Sequence, residues 1–196
     1  MKKVIPDDAV LLPDTAERKF RGVIYDTYQW PQKLFDGSST TFEMLKRPDT
    51  VQVVCIADNK ILVLKDEQPH SGLRLSFPGG RVDEDDVDIV TAAKRELHEE
   101  TGYDFGQWRL LKVWQPHAKI EWFIHLFLAW DVQDVAAAHL DAGEKIVVEH
   151  LVFNEVKKLV FDKAGYLGEA QSVFENKESV VDLLGTTEFE GKEVNR

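Results

Sequence analysis

The sequence predicts an α/β protein: an α/β/α sandwich with a mixed central sheet and an N-terminal antiparallel β extension. Apolar β-forming runs precede one amphipathic helical stretch near the middle of the chain, further strand-like runs follow it, and two helical patterns come last. A chain of 196 residues suits one domain, or a domain with an extension. It is long enough to bury roughly 70% of its unfolded surface. Residues 1–47 are expected to form the β extension, 48–185 the main domain and 186–196 a flexible polar tail.

In order, residues 18–30 and 38–46 read as strands joined by the turn-rich stretch Phe35-Asp36-Gly37-Ser38-Ser39. Residues 51–57 and 61–65 form a second pair, because apolar β-formers flank the polar turn Asp58-Asn59-Lys60. A loop over 66–75 leads to a turn at Pro78-Gly79-Gly80. A helix is expected from about residue 88 to 101, where Val90, Ala93 and Leu97 recur at helical spacing and make a core-facing stripe. Gly102 then stands where a helix end calls for a left-handed residue. Strands are expected at 108–115, 121–130 and 147–153. Asn154 is placed to cap a short helix over 155–161. A longer helix near 169–184 carries Val173, Val180, Val181 and Leu184 on one side before Gly185 ends it.

The balance of 24 basic against 35 acidic side chains, a net charge of −11, opposes association with long nucleic acid. Lysine and arginine are what drive counterion release from phosphate polymers. A small phosphorylated substrate accompanied by a divalent cation remains compatible, since the cation reverses the local field. Cys55 is the single cysteine, so no intrachain disulfide forms, and its apolar neighbours mark it as a core thiol rather than a nucleophile. The N-terminal stretch MKKVIPDDAVLLPD has two lysines but no long apolar core. The longest apolar run, residues 122–130, is about half the length a helix needs to cross a bilayer. A cytoplasmic protein without membrane contact is expected. The 6 histidines lack the close pairing of zinc sites.

Residues 79–103, GGRVDEDDVDIVTAAKRELHEETGY, are the most informative stretch. At about 100° of rotation per residue, Glu99 lies roughly 60° to one side of Glu96 and Glu100 roughly 40° to the other, so the three carboxylates can reach one point. Like charges at this spacing repel, and a cation that takes oxygen ligands would hold them together. Mg²⁺ fits best, with Mn²⁺ as a substitute; a solvated acidic face is the ordinary alternative. Gly79 and Gly80 let backbone approach a metal or phosphate closely, and Arg95 sets a cationic fork beside the acids.

On these residues the chain resembles the Nudix hydrolases, whose signature is G-x5-E-x7-R-E-U-x-E-E-x-G-U, with U apolar. Arg95, Glu96, Leu97, His98, Glu99, Glu100, Thr101, Gly102 and Tyr103 fill the second half. The first half departs: Asp86 occupies the place of the first glutamate, and eight residues rather than seven separate it from Arg95. In the family this first acid mainly pairs with the motif arginine, so the partner of Arg95 stays open, with Glu84 or Asp85 as substitutes. A looser likeness over about residues 20–184 looks like the ADP-ribose pyrophosphatase branch. It runs through Arg47-Pro48-Asp49 and a later Gly143-Glu144-Lys145-Ile146.

The resemblance implies a Nudix-type sandwich and Mg²⁺-dependent hydrolysis of the pyrophosphate bond in a nucleoside diphosphate derivative. ADP-ribose or another nucleotide sugar is the first expectation, giving a nucleoside monophosphate and a sugar phosphate. It implies Glu96, Glu99, Glu100 and the carbonyl of Gly79 as metal ligands. Arg95, Glu99, Glu100 and Glu144 are the implied catalytic residues. Relatives use a glutamate at the place of Glu144 for metal or as general base, with Asp141 and Glu149 as nearby alternatives. Arg74 and Arg81 are candidates for phosphate contact, and Trp30 with Tyr28 for base stacking; each also has an ordinary surface or packing reading. His117 is a loop residue that could line the pocket. In similar ADP-ribose enzymes the N-terminal β region crosses between subunits, so a homodimer is implied. The competing functions are a nucleotide sensor without turnover, and Nudix enzymes for GDP-mannose, dinucleoside polyphosphates or capped RNA ends. Three convergent carboxylates favour an enzyme; the shifted Asp86 favours the sensor.

Overall fold

The structure, a computed structural model, describes every residue except His70, Ser71, Asp141, Glu144 and Arg196. In chain order the first strands are β1 (Lys2–Ile5), β2 (Glu17–Phe20), β3 (Asp26–Lys33), β4 (Ser39–Lys46), β5 (Thr50–Ala57), β6 (Lys60–Gln68) and β7 (Gly72–Ser76). Helix α1 (Ile89–Thr101) follows, then β8 (Tyr103–Trp114), β9 (Ile120–Glu121), β10 (Ile124–Val135) and β11 (Lys145–Leu151). Helix α2 (Phe153–Phe161), a 3₁₀ turn over Leu167–Ala170, short helices α3 (Gln171–Phe174) and α4 (Val180–Leu184), and β12 (Lys192–Asn195) complete the order.

The main sheet runs β11-β6-β5-β10-β8, with β7 also paired to β6. Among the described residues only β5 and β10 pair in parallel within it, so the sheet is mixed. Side-chain alternation along β5 builds the sandwich. Val51, Val53, Cys55 and Ala57 enter one core with Ala92, Ala93 and Leu97 of α1, while Val54 and Ile56 enter the other with Val156 and Val160 of α2. The predicted α/β/α layering is therefore present. No helix among the described residues is long and apolar enough to cross a membrane.

The N-terminal region forms a separate sheet in the order β2-β3-β4-β9, antiparallel except for β4 with β9. Its own apolar cluster is small: Leu12, Trp30 and Met44. Its β9 comes from the chain between β8 and β10, where Glu121, 1% exposed, accepts from Leu12 N and Lys46 Nζ, both at 2.8 Å.

Four expectations are corrected. The loop at 66–75 is largely a hairpin, because β6 continues to Gln68 and pairs with β7. Asn154 does not cap α2; Val152 stands at the cap position, and its N–H donates to Glu155 at 3.2 Å. The long helix at 169–184 is broken, with Glu175 extended, Asn176 at φ 58° and Ser179 capping α4 afresh. Residues 186–196 are not simply a frayed tail: β12 pairs antiparallel with β1, and Phe189 N donates to Leu110 O at 2.8 Å.

Candidate active site

Helix α1 starts at Asp88, whose side chain accepts from Thr91 N at 2.8 Å, and ends at Gly102, left-handed at φ 75°. Its buried stripe is Ile89, Ala92, Ala93, Leu97 and Thr101. That leaves Glu96, Glu99 and Glu100 on the side toward the glycine turn. The turn runs alongside β5: Val53 N donates to Pro78 O at 2.8 Å and Val51 N to Gly80 O at 2.9 Å. The carbonyl of Gly79 stays outside that pairing. Gly79 has φ 146°, and a Cβ there would fall 2.1 Å from Val51 O. At Gly80 a Cβ would fall 2.4 Å from the Glu96 carboxylate. The two glycines thus make room for the strand on one side and the helix carboxylates on the other. The N–H of Gly79 donates to Glu100 at 2.7 Å.

Arg95 uses all its donors. Nε and Nη2 grip both oxygens of Asp86 at 3.1 and 2.9 Å, Nη2 also donates to Arg81 O at 2.9 Å, and Nη1 donates to Glu96 at 2.9 Å and Glu99 at 3.1 Å. The displaced acid of the motif is therefore the arginine's partner, in the two-point geometry that suits guanidinium and carboxylate. The fork of Arg95 holds the Asp86 carboxyl below the usual range. Burial pushes the Glu96 carboxyl up, and Arg95 opposes that rise. Burial likewise pushes the Cys55 thiol well up, with the Glu100 charge adding to it, as expected of an inert core cysteine.

Among the described residues no three His, Cys, Asp or Glu side chains stand at metal-holding separation. Arg95 spans Glu96 and Glu99, and the Gly79 N–H holds Glu100. The donor set nevertheless fits a hard divalent cation. Glu96, Glu99, Glu100 and Gly79 line one cleft of about 720 Å³, and carboxylate and carbonyl oxygens are the ligands Mg²⁺ takes. Two of the three carboxylates already lean on a positive group.

Arg81 lines the same cleft, with Nε on Asp83 at 3.0 Å. Arg74 lies behind it, over the ring of Tyr166 at 5.2 Å and bonded to its hydroxyl at 2.6 Å, and Tyr166 itself lines the cleft. Trp30 stands apart, 8% exposed and packed on Phe42 at 5.2 Å in the N-terminal sheet, with Tyr28 against the same cluster. His117 also lies away from the cleft, accepting from Lys119 N at 3.1 Å. Glu149 pairs with Lys65 at 2.5 Å on β11. Glu144 and Asp141 lie outside the described residues.

Sequence reading missed several residues of this cleft: Arg47, Gln52, Trp122, Tyr166 and Glu169. The Arg47 guanidinium lies 4.5 Å from the Trp122 ring centre and 5.5 Å from that of Tyr25. Trp122 Nε1 donates to Thr50 Oγ1 at 3.0 Å. Trp122 had a sequence signal, an aromatic at the edge of an apolar run, but that run reads as core.

Comparison with known proteins follows the same lines. A family model described as the NUDIX domain matches residues 46–167. The chain is 27% identical over 154 residues to the ADP-ribose pyrophosphatase of Bacillus subtilis (strain 168), covering 76% of this chain and 83% of that protein. It is 28% identical over 155 residues to the methanol dehydrogenase activator of Bacillus methanolicus, with the same coverages of 76% and 83%. The crystal structure of an ADP compounds hydrolase superposes with a TM-score of 0.61 at 20% identity, covering 82% of this chain and 86% of that one. That likeness is one of fold.

Proposed function

The chain belongs to the Nudix family as a pyrophosphohydrolase, and from that premise we propose that it cleaves ADP-ribose or another nucleotide sugar with Mg²⁺. One observation carries the reading: three helix carboxylates and a double-glycine turn share a cleft with an aromatic-guanidinium shelf. The relative named ADP-ribose pyrophosphatase supports the choice of substrate. The two-point grip of Arg95 on Asp86 supports an enzyme over a silent sensor, because the shifted acid still meets the motif arginine.

Glu96, Glu99, Glu100 and the Gly79 carbonyl would hold Mg²⁺, or Mn²⁺ in its place, and the bound ion supplies charge neutralisation for the diphosphate and Lewis acidity. The chain's own residues do the rest. Arg95 orients Glu96 and Glu99. Arg81 at the rim meets phosphate oxygens, with Arg74 adding charge behind Tyr166. Trp122, capped by Arg47, offers a flat apolar face for the base. Glu99, Glu100 and Glu144 are the candidates to take the proton of the attacking water. Water attacks phosphorus in line, the bridging P–O bond breaks, and the leaving phosphate keeps the electron pair. From ADP-ribose the products are AMP and ribose 5-phosphate. The proposal includes a homodimer through the N-terminal sheet, where Phe20 is 63%, Val23 99% and Phe35 115% exposed. Sedimentation analysis tests that part.

Incubation of the purified protein with ADP-ribose and Mg²⁺, followed by chromatography, should yield AMP and ribose 5-phosphate in equal amounts. Metal-dependent binding without product would replace the proposal with a nucleotide sensor.

A further inference from the structure

The cleft also contains two buried acceptors, Gln52 Oε1 and Glu169 Oε2, with no hydrogen-bond partner among the described residues. Such atoms are rare in folded proteins and point to a ligand or water that completes them. Their placement follows from the sheet. Leu126 of β10 stands opposite Gln52 of β5 on one side and opposite Lys112 of β8 on the other. Residues directly opposite share a face, so Gln52 and Lys112 flank Leu126 on the same side of the sheet. Lys112 Nζ donates to the backbone carbonyl of Glu169 at 2.8 Å, which brings the 3₁₀ turn over that row. Burial pushes the Glu169 carboxyl up despite the Lys112 charge.

Gln52 also adjoins the glycine turn whose Gly79 carbonyl is proposed as a metal ligand: a Cβ on Gly79 would fall 2.8 Å from Gln52 Cα. Along β5, Thr50 precedes Gln52 on the same face and bonds Trp122. The cleft therefore has a stacking end, Arg47 with Trp122, and an acceptor end, Gln52 with Glu169, the latter next to the glycine turn. A nucleobase suits flat faces. Unpaired acceptors suit hydroxyl donors, since a sugar hydroxyl donates to a carboxylate or an amide oxygen.

The geometry points to a sugar subsite, in which Gln52 and Glu169 accept hydrogen bonds from hydroxyls of the sugar carried on the second phosphate. These two residues then set a preference for hydroxyl-bearing nucleoside diphosphate derivatives over equally charged ones without hydroxyls. The inference rests on the pyrophosphohydrolase reading and adds to it which end of the substrate the chain reads by hydrogen bonding.

The test is the ratio of kcat/KM for ADP-ribose to that for ADP carrying a methyl ester on its terminal phosphate. In Glu169→Ala that ratio should fall by about 10-fold or more, the size expected when a site built around a hydroxyl loses its acceptor. Gln52→Ala, on a different element, should move the ratio the same way, and Glu169→Gln, which keeps an acceptor, should restore part of it. An unchanged ratio in both alanine variants overturns the subsite. If the wild type cleaves neither compound, the pyrophosphohydrolase reading has failed, and calorimetry with ribose 5-phosphate and methyl phosphate decides the subsite separately. Tighter binding of ribose 5-phosphate that Glu169→Ala abolishes supports it; equal binding of the two phosphates by the wild type overturns it.

Discussion

On the α1 wall of the cleft, every donor of Arg95 is engaged, and the Glu96, Glu99 and Glu100 carboxylates each meet an N–H from the arginine or from Gly79. On the β5 wall of the same cleft, Arg47 Nε, Gln52 Oε1 and Glu169 Oε2 are buried without a partner among the described residues. The difference separates two tasks. Groups that must stabilise developing charge work best when already oriented, because no reorganisation is then needed during the reaction. Groups that recognise substrate gain discrimination by staying incomplete until the right donor arrives. In the proposed function the α1 wall would have the first character and the β5 wall the second.

The sharpest way to break this contrast is at Glu100. Glu100→Gln should lower kcat/KM by about 10³-fold, as loss of one preorganised charge-stabilising group does elsewhere, while the melting temperature stays close to wild type. Near-normal turnover would remove Glu100 from the chemistry. Gly79→Ala comes next, and its effect should fall on folding. At φ 146° and 2.1 Å from Val51 O the added methyl has no room, so urea unfolding should show a loss of about 3 kcal/mol.

Asp86→Asn probes the preorganised wall through charge alone. Asp86 is 8% exposed and the Arg95 side chain 27% exposed, so the pair is only partly desolvated. A loss of about 2 kcal/mol at neutral pH is expected, below the range for fully buried pairs. The sign with pH follows from the lowered carboxyl of Asp86. Its stabilisation is complete above the ordinary carboxylate range and disappears as pH falls through the lowered folded value. Chemical denaturation from neutral to acid pH should therefore show the wild type and Asp86→Asn converging in acid; a constant gap would contradict the pairing. The smallest effect belongs to the stacking end, where Trp122→Ala should raise KM for ADP-ribose by about tenfold with kcat little changed, the scale of one aromatic contact.

What was legible in the sequence is what is local. Helix α1, its left-handed stop at Gly102 and the glutamates on one side of it follow from spacing within a few turns. The two faces of β5 follow from its alternation and its apolar run. Where a partner far along the chain decides the outcome, local pattern is silent: β12 is a strand because β1 lies beside it. β7 likewise depends on the second half of β6. Val181, expected on the apolar side of one long helix, is 70% exposed, because the break at Asn176 resets the phase before α4. The β5 wall was missed for a related reason. Gln52 and Glu169 are ordinary polar residues in sequence and acquire meaning only when Lys112 draws the 3₁₀ turn over the sheet.

Titration of Mn²⁺ into the protein, followed by electron paramagnetic resonance, tests the central claim without relying on turnover. The wild type should bind the ion, and Glu96→Gln, Glu99→Gln and Glu100→Gln should each weaken binding by about tenfold or more. Glu149→Gln, whose carboxylate is occupied by Lys65 on β11, should bind as the wild type does. If all three α1 variants bind Mn²⁺ like the wild type, the helix carboxylates are not the metal site and the account of the cleft fails.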